Sequence, residues 1–161
     1  MDASTGVFHE ETFRNLLGRE AARATRYQDF FSLCLVKPDL PMSQEELIRR
    51  IERAVSGKIA EFVRVTDMVG RLASGVAVVL LHTAGTDAWR VADRIRSNIE
   101  QVAFREGPDD RPRRLTISVG QASFPDDGTT DATLLSQAET YLQRASQGGG
   151  NQVASASATP D

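Results

Sequence analysis

The sequence predicts a single two- or three-layer α/β domain. Amphipathic helical stretches alternate with short apolar, strand-like runs, no segment repeats, and no linker interrupts the pattern before a small Ala/Ser-rich tail. At 161 residues one domain is the expectation, and a chain of this size buries ~70% of its unfolded surface without needing disulfides or metals.

The elements follow in order. Over residues 10–27 the apolar positions Phe13, Leu16, Leu17, Ala21 and Ala24 recur at helical spacing between Arg and Glu, which predicts an amphipathic first helix. Residues 30–36 form a continuous apolar run, as in a strand covered on both faces, and Pro38 and Pro41 end it. Ser43 followed by Glu46 reads as a capping box that starts a second helix through Leu47, Ile48, Ile51 and Val55, with Gly57 as a point where it loosens or ends. Two β-rich runs, 62–72 and 76–81, joined through Ala73-Ser74-Gly75, predict a hairpin. A third helix is expected over about 86–102, then a polar loop over 105–114, a strand over 115–124 closed by Pro125, and a fourth helix from 130 or 131 to about 145, stopped by Gly148-Gly149-Gly150. The order is α-β-α-β-β-α-β-α. Residues 154–161 have little to bury and are expected to be a disordered tail, leaving 1–153 as the domain.

Composition narrows the function classes. Hydrophobic residues make up 40% and charged residues 25%, ordinary globular usage. Nineteen basic against 22 acidic residues give a net charge of −3, which removes the electrostatic case for a nucleic-acid polymer as partner. Only Lys37 and Lys58 are lysines; every other basic residue is arginine, the side chain whose planar fork suits phosphates and guanine edges. Cys34 is alone, so no disulfide framework exists, and its apolar neighbours suit a buried thiol. No secretory h-region opens the chain and no apolar run approaches the ~20 residues of a membrane span, so the expected setting is soluble and cytoplasmic. The sequence has no P-loop, dinucleotide fingerprint, HExxH or CxxC, and His9 and His82 stand apart with no cluster for a metal.

A set of collinear motifs points further. Asp2-Ala3-Ser4-Thr5-Gly6-Val7 is similar to DxLTGL, and Phe13 stands where the phenylalanine of a following NRxxF falls. Arg64-Val65-Thr66-Asp67-Met68-Val69-Gly70-Arg71-Leu72 is similar to RxxDxVARY. Val91-Ala92-Asp93-Arg94-Ile95-Arg96 is similar to vAeriR, Leu115-Thr116-Ile117-Ser118-Val119-Gly120 to vtvSiG, and the 145–153 segment to AKxxGRNRV. With these matches the chain resembles the GGDEF domain, the bacterial diguanylate cyclase family that condenses two GTP into cyclic di-GMP. The resemblance implies a nucleotidyl-cyclase-like domain, with a central, mostly antiparallel β-sheet flanked by helices.

The same register implies that the enzyme is gone. Where the family reads GG[DE]EF this chain reads Ala73-Ser74-Gly75-Val76-Ala77, so Gly75 and Val76 replace the acidic pair of the turn. Activating a ribose hydroxyl through two metals needs hard oxygen ligands, which neither supplies. Lys37 replaces the metal-binding aspartate at the end of the first strand, although Asp39 keeps a second acid. The stretch that should hold the GTP base is missing, and Ser146 and Gly150 replace the phosphate-binding Lys and Arg. The expectation is therefore no catalytic residue, no metal and no cofactor.

What the resemblance retains is the inhibitory-type site for cyclic di-GMP: Arg64 and Asp67 as RxxD, and Arg94 as the helix arginine, with Arg71 and Arg90 as auxiliary candidates. Arginine forks donate to guanine O6 and N7 or to phosphodiesters, and a carboxylate accepts from guanine N1 and N2 hydrogens. On a straight strand Arg64 and Asp67 would face opposite sides, so the site needs a tight turn before the second strand. Against this stands a bare exposed Arg64–Asp67 ion pair, contributing under ~1 kcal/mol. Trp89 is expected to pack partly into the sheet's edge. The expected function is a cyclic di-GMP receptor signalling through an unidentified partner protein, with a homodimer as one assembly open to it. The alternative is a nucleotide-independent interaction or dimerisation module, and residual GTP binding is a third, weaker reading.

Overall fold

A computed structural model describes residues 6–41, 44–107 and 111–156. The apolar run of the first strand explains the architecture. In β1 (Phe31–Pro38), Phe31, Leu33 and Leu35 point into one core while Cys34 and Val36 point into a second, because successive side chains leave a strand on opposite faces. Both faces must then be covered, and four helices do so.

Helices α1 (Glu10–Tyr27) and α4 (Asp131–Gln147) cover the first face through Phe13, Leu17, Leu134 and Leu142. Helices α2 (Glu45–Phe62) and α3 (Gly85–Glu100) cover the second through Ile51, Val55, Ile59, Ala92, Ile95 and Ile99. Between them lies a five-stranded sheet that also contains β2 (Met68–Leu72), β3 (Gly75–Leu81), β4 (Ile117–Phe124) and β5 (Gln152–Ser155), in the order β2-β3-β1-β4-β5. All neighbours are antiparallel except β4 and β5. Of the two- or three-layer α/β arrangements expected, the three-layer one forms, with a mostly antiparallel sheet.

Several boundaries differ from the sequence reading, each for a physical reason. Helix α2 runs through Gly57 to Phe62, because Val55 and Ile59 on either side of that glycine are buried and hold the turn together. Residues 63–67, read as strand, form a turn, so β2 is only five residues long. Ser43 lies outside the described residues, and Gln44 occupies the cap position of α2 without a side-chain cap bond. Helix α4 carries the reciprocal capping box instead, between Thr130 and Thr133. Within the polar loop Phe104 and Arg113 form a two-bond antiparallel bridge at 2.7 and 2.6 Å. The domain boundary also moves: Ala154 and Ser155, assigned by sequence to the tail, are buried in β5 because parallel pairing with Gly120 and Gln121 covers them. Residues 157–161, the rest of that expected tail, lie outside the described residues.

Gly120 shows how closely the layers meet. A Cβ there would fall 2.1 Å from the Ala138 carbonyl oxygen and 2.4 Å from the Leu142 nitrogen, so β4 and α4 pack backbone to backbone. Gly120→Ala is expected to destabilise the domain by about 2–4 kcal/mol in urea unfolding, since the obstacle is rigid helix backbone. Cys34 is fully buried and desolvation pushes its thiol up to about 12, so native protein should not react with Ellman's reagent at pH 8 until it is unfolded.

Candidate functional site

The turn between α2 and β2 supplies the tight geometry that the RxxD spacing requires. Val63 closes the helix in an extended conformation, and the Asp67 amide donates to the Arg64 carbonyl at 3.0 Å. The Asp67 carboxylate then folds back. It accepts the Arg64 amide (3.2 Å), Arg64 Nε (3.2 Å) and Arg64 Nη2 (3.3 Å), and on the sheet side it accepts the Leu81 amide at the end of β3 (3.0 Å). Its side chain is only 2% exposed, whereas that of Arg64 is 58% exposed. The pair is therefore not a loose surface ion pair. Asp67 is a buried acceptor satisfied by four donations, and Arg64 is a cation held in place with one side open.

Arg64 is gripped from a second direction. Its Nη2 donates to the Leu81 carbonyl at 2.5 Å and to Thr83 Oγ1 at 3.1 Å. Arg94, on α3, lines the same cleft of about 310 Å³, whose apolar wall includes Phe62, Leu80, Val91 and Ile95. Arg94 is exposed and, among the described residues, makes no hydrogen bond or ion pair. The structure thus brings together Arg64, Asp67 and Arg94, but Asp67 turns its oxygens inward, towards Arg64 and Leu81, instead of out to a base.

The auxiliary candidates fall elsewhere. Arg71 sits half-buried near the hairpin end of β2, close enough to α2 for its charge to act on Glu52, and it does not line the cleft. Arg90 is exposed, 4.0 Å from Asp87, and also lies outside it. Both miss for geometric reasons: Arg71 stands at the far end of its strand, and Arg90 lies one helical turn before Arg94. Trp89 packs against the second core with its indole N–H towards the Val153 carbonyl at 3.4 Å, the expected edge role. Two cleft residues went unread in the sequence, Thr83 and Asn98. Asn98 was legible in principle, four residues after Arg94 on the same helix face. Thr83 had no local signal.

At the opposite end of the sheet a second cleft, of about 610 Å³, includes Lys37, Asp39, Ser74, Ser146 and Gly150. Ala73 and Ser74 form the hairpin turn, and Gly75 pairs with Leu72. Asp39 is closed off here: its oxygens accept Thr116 Oγ1 and Ser118 Oγ, both at 2.6 Å, and the Asn151 amide at 2.9 Å. Among the described residues no group of three His, Cys, Asp or Glu side chains converges in a way that could hold a metal.

Beside the first cleft, the segment after β3 is tied to α1. His82 Nδ1 lies 3.0 Å from Asp29 Oδ1, and Arg23 donates to Asp29 Oδ2 at 2.7 Å and to Glu20. The Arg23 hydrogen bond, followed by that from the Phe30 amide, holds the Asp29 carboxyl down to about 2.

Comparison with known proteins places this geometry. A family model described as "Diguanylate cyclase, GGDEF domain" matches residues 50–152. The response regulator PleD of Caulobacter vibrioides is 27% identical over 158 residues; the match covers 94% of this chain and 35% of that protein, so the chain spans about a third of its curated relative. Among solved structures, the GGDEF domain of YfiN (TpbB) from Pseudomonas aeruginosa superposes with a TM-score of 0.82 at 21% identity, covering 96% of this chain and 99% of that one. The coiled coil and GGDEF domain of DgcB from Caulobacter crescentus, solved in complex with c-di-GMP, superposes at 0.81 with 17% identity, covering 97% and 85%. Among the described residues no helix is long and apolar enough to cross a membrane.

The depressed Asp29 gives a pH dependence of definite sign. A carboxylate whose folded pKa lies below its unfolded value adds stability that is complete above about pH 4 and is lost as pH falls towards 2. Acid unfolding monitored by circular dichroism should therefore be shallower between pH 4 and 2 in Asp29→Asn than in the wild type.

Proposed function

The chain belongs to the GGDEF family, and within it we propose a catalytically inactive, degenerate domain that acts as a cyclic di-GMP receptor and passes the signal to a partner protein. The observation that carries this reading is the convergence of Arg64 and Arg94 on one cleft, with Arg64 held by Asp67 and Arg94 without a partner among the described residues. A ligand with two guanine edges and two phosphodiesters matches two arginine forks, of which that of Arg64 is already held in place to donate. In this reading Arg64 and Arg94 contact the ligand and Asp67 positions Arg64.

The loss of catalysis rests on the other end of the sheet. The family's chemistry depends on divalent metals, and the donor set here does not fit them. Gly75 and Val76 offer no side-chain oxygen, Lys37 brings a positive charge, and the oxygens of Asp39 are already engaged by three donors.

One observation favours the second reading, a nucleotide-independent interaction module. The exposed large hydrophobic side chains Tyr27, Phe30, Phe62 and Val65 all lie at the sheet end that holds the Arg64 turn. Under that reading a partner would bind equally with and without cyclic di-GMP, and Arg64→Ala would change nothing.

Isothermal titration with cyclic di-GMP separates the two. Wild-type protein should bind, and Arg64→Ala should lose about tenfold or more in affinity, the worth of a charge-assisted hydrogen bond. No heat with wild type at roughly 50 μM ligand, near the −6 kcal/mol level of affinity, overturns the receptor reading.

A further inference from the structure

A buried polar cluster lies in the second face of the sheet, away from both clefts. Ser32 is fully buried, Gln121 is 1% and Ser123 5% exposed. Gln121 Nε2 donates to Ser123 Oγ at 2.8 Å and to Ser32 Oγ at 3.2 Å, and the two serine hydroxyls lie 3.1 Å apart. Ser32 spends its own proton on the Thr83 carbonyl at 2.7 Å, so the hydrogen between the serines comes from Ser123. Ser123 Oγ also accepts the Gly85 amide at 3.1 Å. Beyond the cluster, Ser32 and Ser123 both bond to one segment, residues 81–85.

That segment is the one that holds Arg64. Its Leu81 carbonyl and Thr83 hydroxyl receive Arg64 Nη2, and the Thr83 hydroxyl donates to the same carbonyl at 2.9 Å. It also contains two residues in the left-handed region, His82 at φ 54° and Gly85 at φ 58°. For histidine that conformation persists where the surroundings over-determine it. Here they do: the His82 amide donates to Phe30, its ring meets Asp29, and Ser32 and Ser123 fix the residues that follow.

We propose that Ser32, Gln121 and Ser123 form a positioning device for the cleft, locking the 81–85 segment so that Leu81 and Thr83 hold the Arg64 guanidinium in its donating orientation. Apolar side chains would fill these sheet positions at lower desolvation cost; the polar ones are retained for the loop they hold. The ligand side of the proposal rests on the receptor reading above, but the ordering of Arg64 does not.

The test is therefore run first without ligand. The Arg64 Nε–H resonance, assigned by its disappearance in Arg64→Lys, reports through its exchange with water how well the guanidinium is held. In Ser32→Ala and, independently, in Ser123→Ala, that exchange should accelerate about fivefold, the worth of one net hydrogen bond, while Val119→Ala, a core truncation on the same sheet face, should stay within about twofold. Equal exchange in the serine variants and Val119→Ala overturns the proposal, and if one serine variant fails to fold the other decides. Cyclic di-GMP titration is the second arm. Affinity should fall about fivefold in the folded serine variants and stay within about twofold in Val119→Ala. Absence of binding by wild type defeats the receptor reading and leaves the Arg64 result standing; binding with unaltered Arg64 exchange in the serine variants defeats the positioning role alone.

Discussion

A carboxylate that is 2% exposed has to be satisfied from within the protein, and the way Asp67 is satisfied organises one end of this domain. Its oxygens take two donors from Arg64's own side chain, one from the Arg64 backbone and one from the end of β3. One group thus closes the α2–β2 turn, pins it to the sheet and neutralises an arginine without hiding it. Without the Leu81 amide the Asp67 carboxylate would pair only with its own turn, as an exposed ion pair does. The bond into the sheet turns a local motif into part of the fold.

The two ends of the sheet make an instructive contrast. At both, an aspartate near a strand end is surrounded by donors. At one end those donors include a cation that remains open to a cleft after the acid is satisfied. At the other, Asp39 is closed by two hydroxyls and a backbone amide, while Lys37 and the small residues of the hairpin turn offer no further acid. The first arrangement suits recognition of an anion. The second suits a staple between β1, β4 and the start of β5. The proposed receptor function follows from this asymmetry and from membership in the GGDEF family, of which this chain covers a single domain's length.

Much of this was legible in the chain. The doubly apolar run of β1, the 3.6-residue pattern of α1 and the Gly-bearing hairpin each carry their own local signal, and each formed, the hairpin with a shorter first strand than read. Misreadings cluster where a local signal was overridden or missing. Gly57 suggested a helix end, yet burial of Val55 and Ile59 carried α2 onward. Ala154 and Ser155 read as tail because a parallel edge strand draws its stability from β4 and leaves little pattern in its own four residues. The RxxD spacing named Arg64 and Asp67, the helix motif named Arg94, and the structure brought all three to one cleft; the auxiliary candidates Arg71 and Arg90 fell outside it.

The sequence by itself determined the fold class and the family, and it named the three residues, Arg64, Asp67 and Arg94, that the structure brings to one cleft, because periodicity, glycine placement and motif spacing are local properties that survive without coordinates. It could not determine which way Asp67 faces, that Thr83 completes the grip on Arg64, or that Ser32, Gln121 and Ser123 reach the same loop. Those depend on groups brought together from β1, β3, β4 and the turn before β2, up to 91 positions apart in the case of Ser32 and Ser123. Hydrogen-bond direction between such distant groups is decided by strand register and by the need to satisfy every buried donor and acceptor, and neither exists until the sheet has formed.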